Sequence, residues 1–409
     1  MSTQSHSAGR ERSEIKDILR VVVLAVGVFA VGTGEFVLAG LLPLLMESFQ
    51  ISAVEAGLIV TVFATTCGIA APSLTALTAS WSRRTVLITA TLTYLVGSIG
   101  TAVAPTYGLV LLAQIVAAAG VGLFIPNASV TAAALVPPQF KGRAIAIVVL
   151  GFTAAVSFGA PLGTALGGVA GWRSTMWFTG ALALTGVLGA VLFVPKQVQF
   201  DLPGTFAERL APLTDRRVLV VLATTLVGFT AVFIPYTYIG IIFSTATAGN
   251  SFALALLMIT LGVVGAAGNL CAGFLADKFG GSRAVAIALV WLAVSTAILP
   301  LATENIGLAA VAIAFYGLAA FAITTPQQHR LISIKPDAAA ILLSLNQAVL
   351  YLAIALSGVV GAIGINWIGE RYLGLIAACL AVIALGISFL AKASPAGRMH
   401  PKTPVSEPC

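Results

Sequence analysis

The chain alternates long apolar runs with short polar breaks. Twelve runs are each about long enough to cross ~30 Å of hydrocarbon as a helix. They predict helices over 19–45, 54–80, 85–104, 107–136, 143–170, 174–194, 217–245, 252–276, 283–301, 306–334, 339–366 and 371–392. Several exceed the bilayer thickness, and tilt absorbs the excess. The pattern predicts an all-α polytopic membrane protein of twelve transmembrane helices. The most polar internal break is "PKQVQFDLPGTFAERLAPLTDRR", which falls between the sixth and seventh helices. The expected organisation is a tail over 1–17, a six-helix bundle over 18–194, a linker over 195–216, a second bundle over 217–392 and a Pro-rich disordered tail over 393–409. The first apolar run is too long for a secretory h-region and is read as an uncleaved span.

The two halves repeat. "TALTASWSRR" begins at Thr75 and "GFLADKFGGS" at Gly273, an offset of 198. "GWR" at 171–173 and "GER" at 369–371 keep that offset, as do Pro138 and Pro336. Three anchors at one offset imply two parallel six-helix halves related about the membrane normal.

Composition agrees with the pattern: 59% of residues are hydrophobic and 9% charged, against about 25% charged in soluble domains. The net charge of +7 does not point to nucleic acid, because its basic residues are spread among the breaks. With the N-terminus inside, 19 of the 21 lysines and arginines fall in cytoplasmic segments, leaving only Arg173 and Arg371 outside. This positive-inside asymmetry predicts an even number of spans with both termini cytoplasmic. Cys67, Cys271, Cys379 and Cys409 show neither metal spacing nor a disulfide framework and read as buried thiols. There is no GxxxxGK[ST] loop and no HExxH, so ATP hydrolysis on this chain and metal catalysis are not expected. The helices hold no polar catalytic cluster and no repeated filter of charged or carbonyl groups, which argues against an enzyme and an ion channel. No cofactor is expected.

One acidic residue breaks the apolar pattern. In "VGTGEFVLAGLLP" Glu35 lies about 20 Å along the first helix, whereas the other thirteen acids fall in tails, loops or interfacial ends. Its helical neighbours Gly32 and Ala39 form a thin patch that lets a helix or ligand approach. No Lys, Arg or His lies at a membrane centre to oppose it, and burial favours the neutral acid. An intramembrane acid of this kind is a candidate proton carrier; the alternative is a protonated acid that only bonds another helix. Softer candidates for substrate contact are Gln114, Asn127, Tyr236, Tyr238, Asn269, Asn346, Gln347 and Tyr351, whose amides and hydroxyls can fix a ligand in an apolar cavity or simply join helices. His329, beside Arg330 and Lys335, reads as solvated loop entry.

These motifs resemble the major facilitator superfamily. "GFLADKFGGS" is similar to its cytoplasmic loop signature through Gly273, Leu275, Ala276, Asp277, Lys278 and Gly280, followed by Arg283. Asp277 is expected to cap a helix start and pair with basic residues. The N-terminal copy keeps Leu77, Arg83 and Arg84 but has Thr75 and Ala79 in place of Gly and Asp, so gating is expected to lean on the C-terminal loop. "SFGAPLGTALGG" resembles the fifth-helix signature of the proton-coupled drug antiporter branch. There Gly159, Gly163 and Gly167 form a smooth strip for close packing and Pro161 permits a kink. "GEFVLAGLLP" and "GWRSTMWF" are similar to segments of sugar, nucleoside and chloramphenicol exporters. The family's antiporters usually carry an arginine where this chain has Gln114, which cannot carry charge.

The resemblance implies a proton-coupled efflux antiporter for small amphipathic molecules of the chloramphenicol type, in a bacterial cytoplasmic membrane. The expected partners are a small-molecule substrate, protons and the lipid bilayer, and a monomer is expected. Export of sugars or nucleosides, or uptake by a symporter or facilitator, are the alternatives. In this fold the first and fourth helices of each half line the cavity, which favours Tyr236 and Asn346 among the soft candidates, Asn346 less strongly because the eleventh helix is the fifth of its half.

Overall fold

A computed structural model describes residues 2–196 and 211–390. Most of the expected linker and the C-terminal tail lie outside the described residues. Twelve helices are long and apolar enough to cross a membrane. They are α1 Ile18–Phe49, α2 Ala53–Leu77, α3 Arg83–Val103, α4 Tyr107–Ala134, α5 Lys141–Ala170, α6 Trp172–Phe193, α7 Arg216–Thr237, α8 Ser251–Phe279, α9 Gly281–Ala302, α10 Ile306–Ile334, α11 Ile341–Ile368 and α12 Glu370–Leu390. The helical winding of α1 begins already at Ser2, so the expected N-terminal tail continues the first helix. The expected seventh helix stops at Thr237. Two single turns, Ile239–Ile242 and Ser244–Thr247, carry the chain toward α8.

The breaks follow local chemistry. Ser52 caps α2 through a capping box: its Oγ accepts from the Glu55 amide at 3.3 Å, and the Glu55 carboxylate accepts from the Ser52 amide at 2.8 Å. Gly280, at φ +83°, is the single residue between α8 and α9, a conformation that glycine adopts without a Cβ penalty. Two of the three repeat anchors recur as the same local structure, whereas at the third α2 stops at Leu77 and α8 runs on to Phe279. Gly171 and Gly369 both take φ +82°. Two residues on, Arg173 donates to the Ala104 carbonyl at 2.9 Å and Arg371 to the Pro300 carbonyl at 3.2 Å. Both arginines thus tie the start of a half's last helix to the turn after its third. Pro138 and Pro336 each open a 3₁₀ turn, Pro138–Phe140 and Pro336–Ala338. The offset of 198 read from the sequence is a structural repeat.

Apolar side chains gain nothing from leaving lipid, so helices associate by close packing and internal hydrogen bonds. Glycine supplies the closeness. Along α5, Gly151, Ala155, Gly159, Gly163 and Gly167 form one i, i+4 row against α1. They face Ala25, Gly32, Thr33, Val37 and Leu41 respectively. The sequence showed the last three members, and the row extends two turns beyond them. A π turn, Ala155–Gly159, interrupts α5 immediately before Pro161, which is where the expected distortion falls.

The two halves meet at α1 with α7, α2 with α11, and α5 with α8. Thr61 donates to the Ala355 carbonyl at 3.1 Å, and Tyr236 to the Phe36 carbonyl at 3.3 Å. Gly358 admits Thr61 and the Gly57 carbonyl of α2, Gly57 admits the Tyr238 hydroxyl, and Gly262 admits Ser157. These joints cluster toward the end that carries Gly171 and Gly369. The opposite end carries Arg83, Arg84, Lys141, Arg143, Arg216, Arg217, Lys278, Arg283 and Lys335.

Candidate transport site

Three successive residues orient Glu35. Gly32 packs on Ala155 of α5, and the Thr33 side chain lies over Gly159. The Tyr94 hydroxyl of α3 sits directly over Gly34, where a Cβ would stand 1.6 Å from it. With each residue turning the helix by about 100°, the next position leaves this packed wall and faces the seam between the halves. Glu35 therefore points into a cavity lined by Phe36, Phe63, Phe233, Tyr236 and Ile354, contributed by α1, α2, α7 and α11. The cavity's free volume is about 20 Å³, room for about one water. Little free space adjoins the carboxyl.

Glu35 Oε2 is buried with no hydrogen-bond partner among the described residues, and no basic residue lines the cavity. The walls are aromatic. Phe36 meets Tyr236 edge-on at 5.7 Å and Phe152 at 5.1 Å, and Phe233 meets Tyr236 at 6.0 Å. The site therefore joins one carboxyl, able to bind or release a proton, to an apolar surface shared by both halves. Of the thin patch expected around Glu35, Ala39 faces the cavity and Gly32 is spent on α5.

Among the expected contact residues, only Tyr236 lines this cavity, with its hydroxyl held by Phe36. The structure moves several others elsewhere. Gln114 is buried and donates to Thr101 Oγ1 at 3.0 Å, between α4 and α3. Asn127 accepts from Arg83 at 2.7 Å and donates to Thr75 at 3.2 Å, near the basic end of the first half. Tyr238 donates to the Gly358 carbonyl at 2.6 Å and packs between Gly57 and Gly361, a seam rather than a pocket. Asn346 accepts from Thr225 at 2.9 Å, and Asn269 accepts from Thr325 at 2.9 Å. Each of these amides bonds to protein, which is the interhelical alternative. Gln347 lies one turn from Tyr351 on α11.

The loop motifs also find definite places. Arg84 donates to the Val191 carbonyl, fastening α3 to α6. Asp277 lies exposed in the last turn of α8, so it does not cap a helix start; Gly280 precedes α9 and offers no side-chain cap. Nor does Asp277 form an ion pair among the described residues, and Lys278 instead lies over the Phe279 ring at 5.3 Å. Gly273 faces Thr325 at ordinary contact distance. Arg330, expected at the solvated cytoplasmic end of the tenth helix, is instead buried within α10, where it donates to Gln327 at 2.9 Å and to the Ser388 hydroxyl at 3.0 Å. Sequence reasoning missed this network and the α2 wall of the cavity. Val60, Phe63 and Ala64 carry no signal that separates them from lipid-facing residues of the same helix.

Comparison with known proteins agrees with this architecture. The chain is 30% identical to the inner membrane transport protein YdhP of Escherichia coli K12 over 384 residues, covering 94% of this chain and 97% of that protein. It is 28% identical to the uncharacterized MFS-type transporter YbcL of Bacillus subtilis, covering 90% and 95%. Among solved structures, a point mutant of the nucleoside transporter NupG superposes with a TM-score of 0.75 at 12% identity, covering 91% of this chain and 99% of that one. The E. coli xylose transporter XylE, in a partially occluded inward-open conformation, superposes at 0.69 and 19% identity, covering 93% and 98%. These two show the shared fold. The sequence model of the Major Facilitator Superfamily matches residues 24–358. Twelve helices in two repeated halves, a seam cavity and a match over most of the chain therefore agree: the protein is a membrane transporter of the Major Facilitator Superfamily.

Proposed function

We propose that this transporter is a proton-coupled exporter of small amphipathic molecules, with Glu35 as the proton carrier. The observation that supports the reading is the position of Glu35. It is the one acid away from the helix ends within the described spans, it faces the seam between the halves, and its Oε2 has no partner among the described residues. Intramembrane acids are costly and serve as proton relays in pumps and transporters. Aromatic walls with one polar group suit a ligand with an apolar body. On this reading both termini and the basic end are cytoplasmic, following the positive-inside bias. Joints between the halves near Gly171 and Gly369 then close the outer side. The unit of transport is a monomer of two bundles, 18–194 and 217–392. Rocking of the halves about Glu35 exposes it alternately. A proton from outside neutralises Glu35 and favours outward release of substrate; its release inward restores affinity.

The test uses everted vesicles loaded with the transporter and a panel of amphipathic drugs, sugars and nucleosides. Antiport predicts that acidifying the lumen drives substrate into it. Loss of lumenal substrate on acidification would instead assign a proton symporter for uptake.

A further inference from the structure

The lipid-facing surface of the second half carries a groove that the transport site does not use. Its volume is about 400 Å³, and its walls include Ile287, Val290, Trp291 and Val294 of α9, Phe315 of α10 and Leu385 of α12. Every lining side chain is apolar except for the Trp291 indole N–H, which donates to the Phe315 carbonyl at 2.9 Å. The two rings lie 4.7 Å apart, so one wall is fixed. Ile287, Val290 and Val294 are exposed outside the bundle and form one stripe at i, i+3 and i+7. Arg283 continues that stripe one turn nearer the basic end. Counted from Gly281, the apolar positions stand about 9–20 Å along α9, within the hydrocarbon core, and Arg283 only about 3 Å, at its margin. Arg283 is exposed and forms no ion pair among the described residues.

We propose that the groove and Arg283 bind one anionic phospholipid, with an acyl chain in the groove and the phosphate at Arg283. The lipid comes from the leaflet at the basic end, which is cytoplasmic on the reading above. The site needs neither proton coupling nor the transported molecule. A concave wall built by three helices touches an acyl chain on several sides, so it gains more dispersion contact than a single convex helix offers. Charge complementarity selects the headgroup. The arginine stem lies along the apolar stripe while its guanidinium reaches the interface, where it favours a net negative lipid over a zwitterionic one. The rest of this chain does not suit the groove: the sequence beyond Leu390, "AKASPAGRMHPKTPVSEPC", is too polar for an apolar slot. Nor does the groove compete for substrate, because α9 contributes nothing to the Glu35 cavity.

The test reads quenching of Trp291 by brominated lipids in the purified full-length protein. The protein is reconstituted in phosphatidylcholine containing either brominated phosphatidylglycerol or brominated phosphatidylcholine. The Trp291 signal is the difference between wild type and Trp291→Phe, which cancels the other four tryptophans. Brominated phosphatidylglycerol is expected to quench at about fivefold lower mole fraction, the selectivity of one arginine at an anionic interface. Arg283→Gln brings that ratio to about one, and Arg283→Lys keeps it. Native mass spectrometry of the same proteins, which needs no fluorescence, should count one more retained phosphatidylglycerol on wild type than on Arg283→Gln. Equal quenching of wild type by both lipids overturns the proposal and leaves the groove to bulk hydrocarbon, as does a ratio that survives Arg283→Gln. Absence of quenching by either lipid also overturns it and assigns the groove to a protein partner such as a second copy. Glycerol 3-phosphate, a headgroup without chains, should leave the quenching unchanged; relief by it would overturn the lipid as occupant. No substrate or gradient enters the assay, so its failure is distinct from failure of the transport reading.

Discussion

Two hydroxyls latch the halves at the end bearing Gly171 and Gly369, and removing them should open that end by a calculable amount. Thr61 spans α2 to α11 and Tyr236 spans α7 to α1. Thr61→Val and Tyr236→Phe delete the oxygens and keep the shape. Net hydrogen bonds contribute about 0.5–1.5 kcal/mol each, and the alternative partners decide where in that range each falls. Thr61 has a fallback in its own helix, the Gly57 carbonyl at 3.3 Å, so its cross-half bond contributes about 0.5 kcal/mol. Tyr236 makes no such second bond, so it contributes about 1 kcal/mol. The two bonds lie on different helix pairs and should add. Their sum, about 1.5 kcal/mol, shifts the closed-to-open ratio by roughly tenfold at this end. Thr61→Val alone gives about twofold and Tyr236→Phe about fivefold. Spin labels at the exposed positions Pro105 and Ile306, in a background lacking the native cysteines, report the separation by pulsed electron resonance. An unchanged distance distribution in the double variant refutes the latch. A larger effect of Thr61→Val than of Tyr236→Phe refutes the fallback argument.

Packing between α3 and α4 gives an internally controlled prediction. A Cβ on Gly97 would stand 2.3 Å from the Ala117 amide nitrogen and 2.7 Å from the Ala113 carbonyl, both backbone, whereas on Gly100 it meets only the Ala113 methyl at 3.3 Å. Gly97→Ala should cost about 3 kcal/mol by overpacking and lower the melting temperature. Gly100→Ala, with its gain of about 1 kcal/mol in helix propensity, should leave it level or raise it. For Gln114→Leu, Thr101 still donates to the Gly97 carbonyl at 2.9 Å. The expected cost is about 1 kcal/mol of stability, with ligand affinity within about twofold of wild type, as titration of the variant would show.

How much of this was legible in the sequence depended on the range of the interaction. Helix positions followed from apolar length, and the repeat from Gly171 and Gly369, because a positive φ and the arginine two residues later are local necessities. The α1–α5 seam was half legible. Gly159, Gly163 and Gly167 announced close packing, but nothing in the sequence named Thr33, Val37 and Leu41 as the partners. Glu35 stood out because a carboxyl in hydrocarbon is expensive wherever it points. The amides did not sort themselves. Asn127, Asn346 and Gln114 look alike in an apolar helix, and only the structure shows that Arg83, Thr225 and Thr101 already hold them. Asp277 departs from its expected role because α8 runs on to Phe279, past its expected end at 276, and so takes Asp277 into its own last turn.

Proton coupling through Glu35 can be measured by itself. Everted vesicles carrying wild type or Glu35→Gln are given an acid lumen, and uptake of radiolabelled chloramphenicol is followed with and without the gradient. The amide keeps the size and hydrogen bonding of the neutral acid but cannot exchange a proton. The expected result is gradient-driven accumulation by wild type, while Glu35→Gln equilibrates substrate across the membrane without concentrating it. Accumulation by Glu35→Gln at the wild-type rate would show that the proton travels by another route.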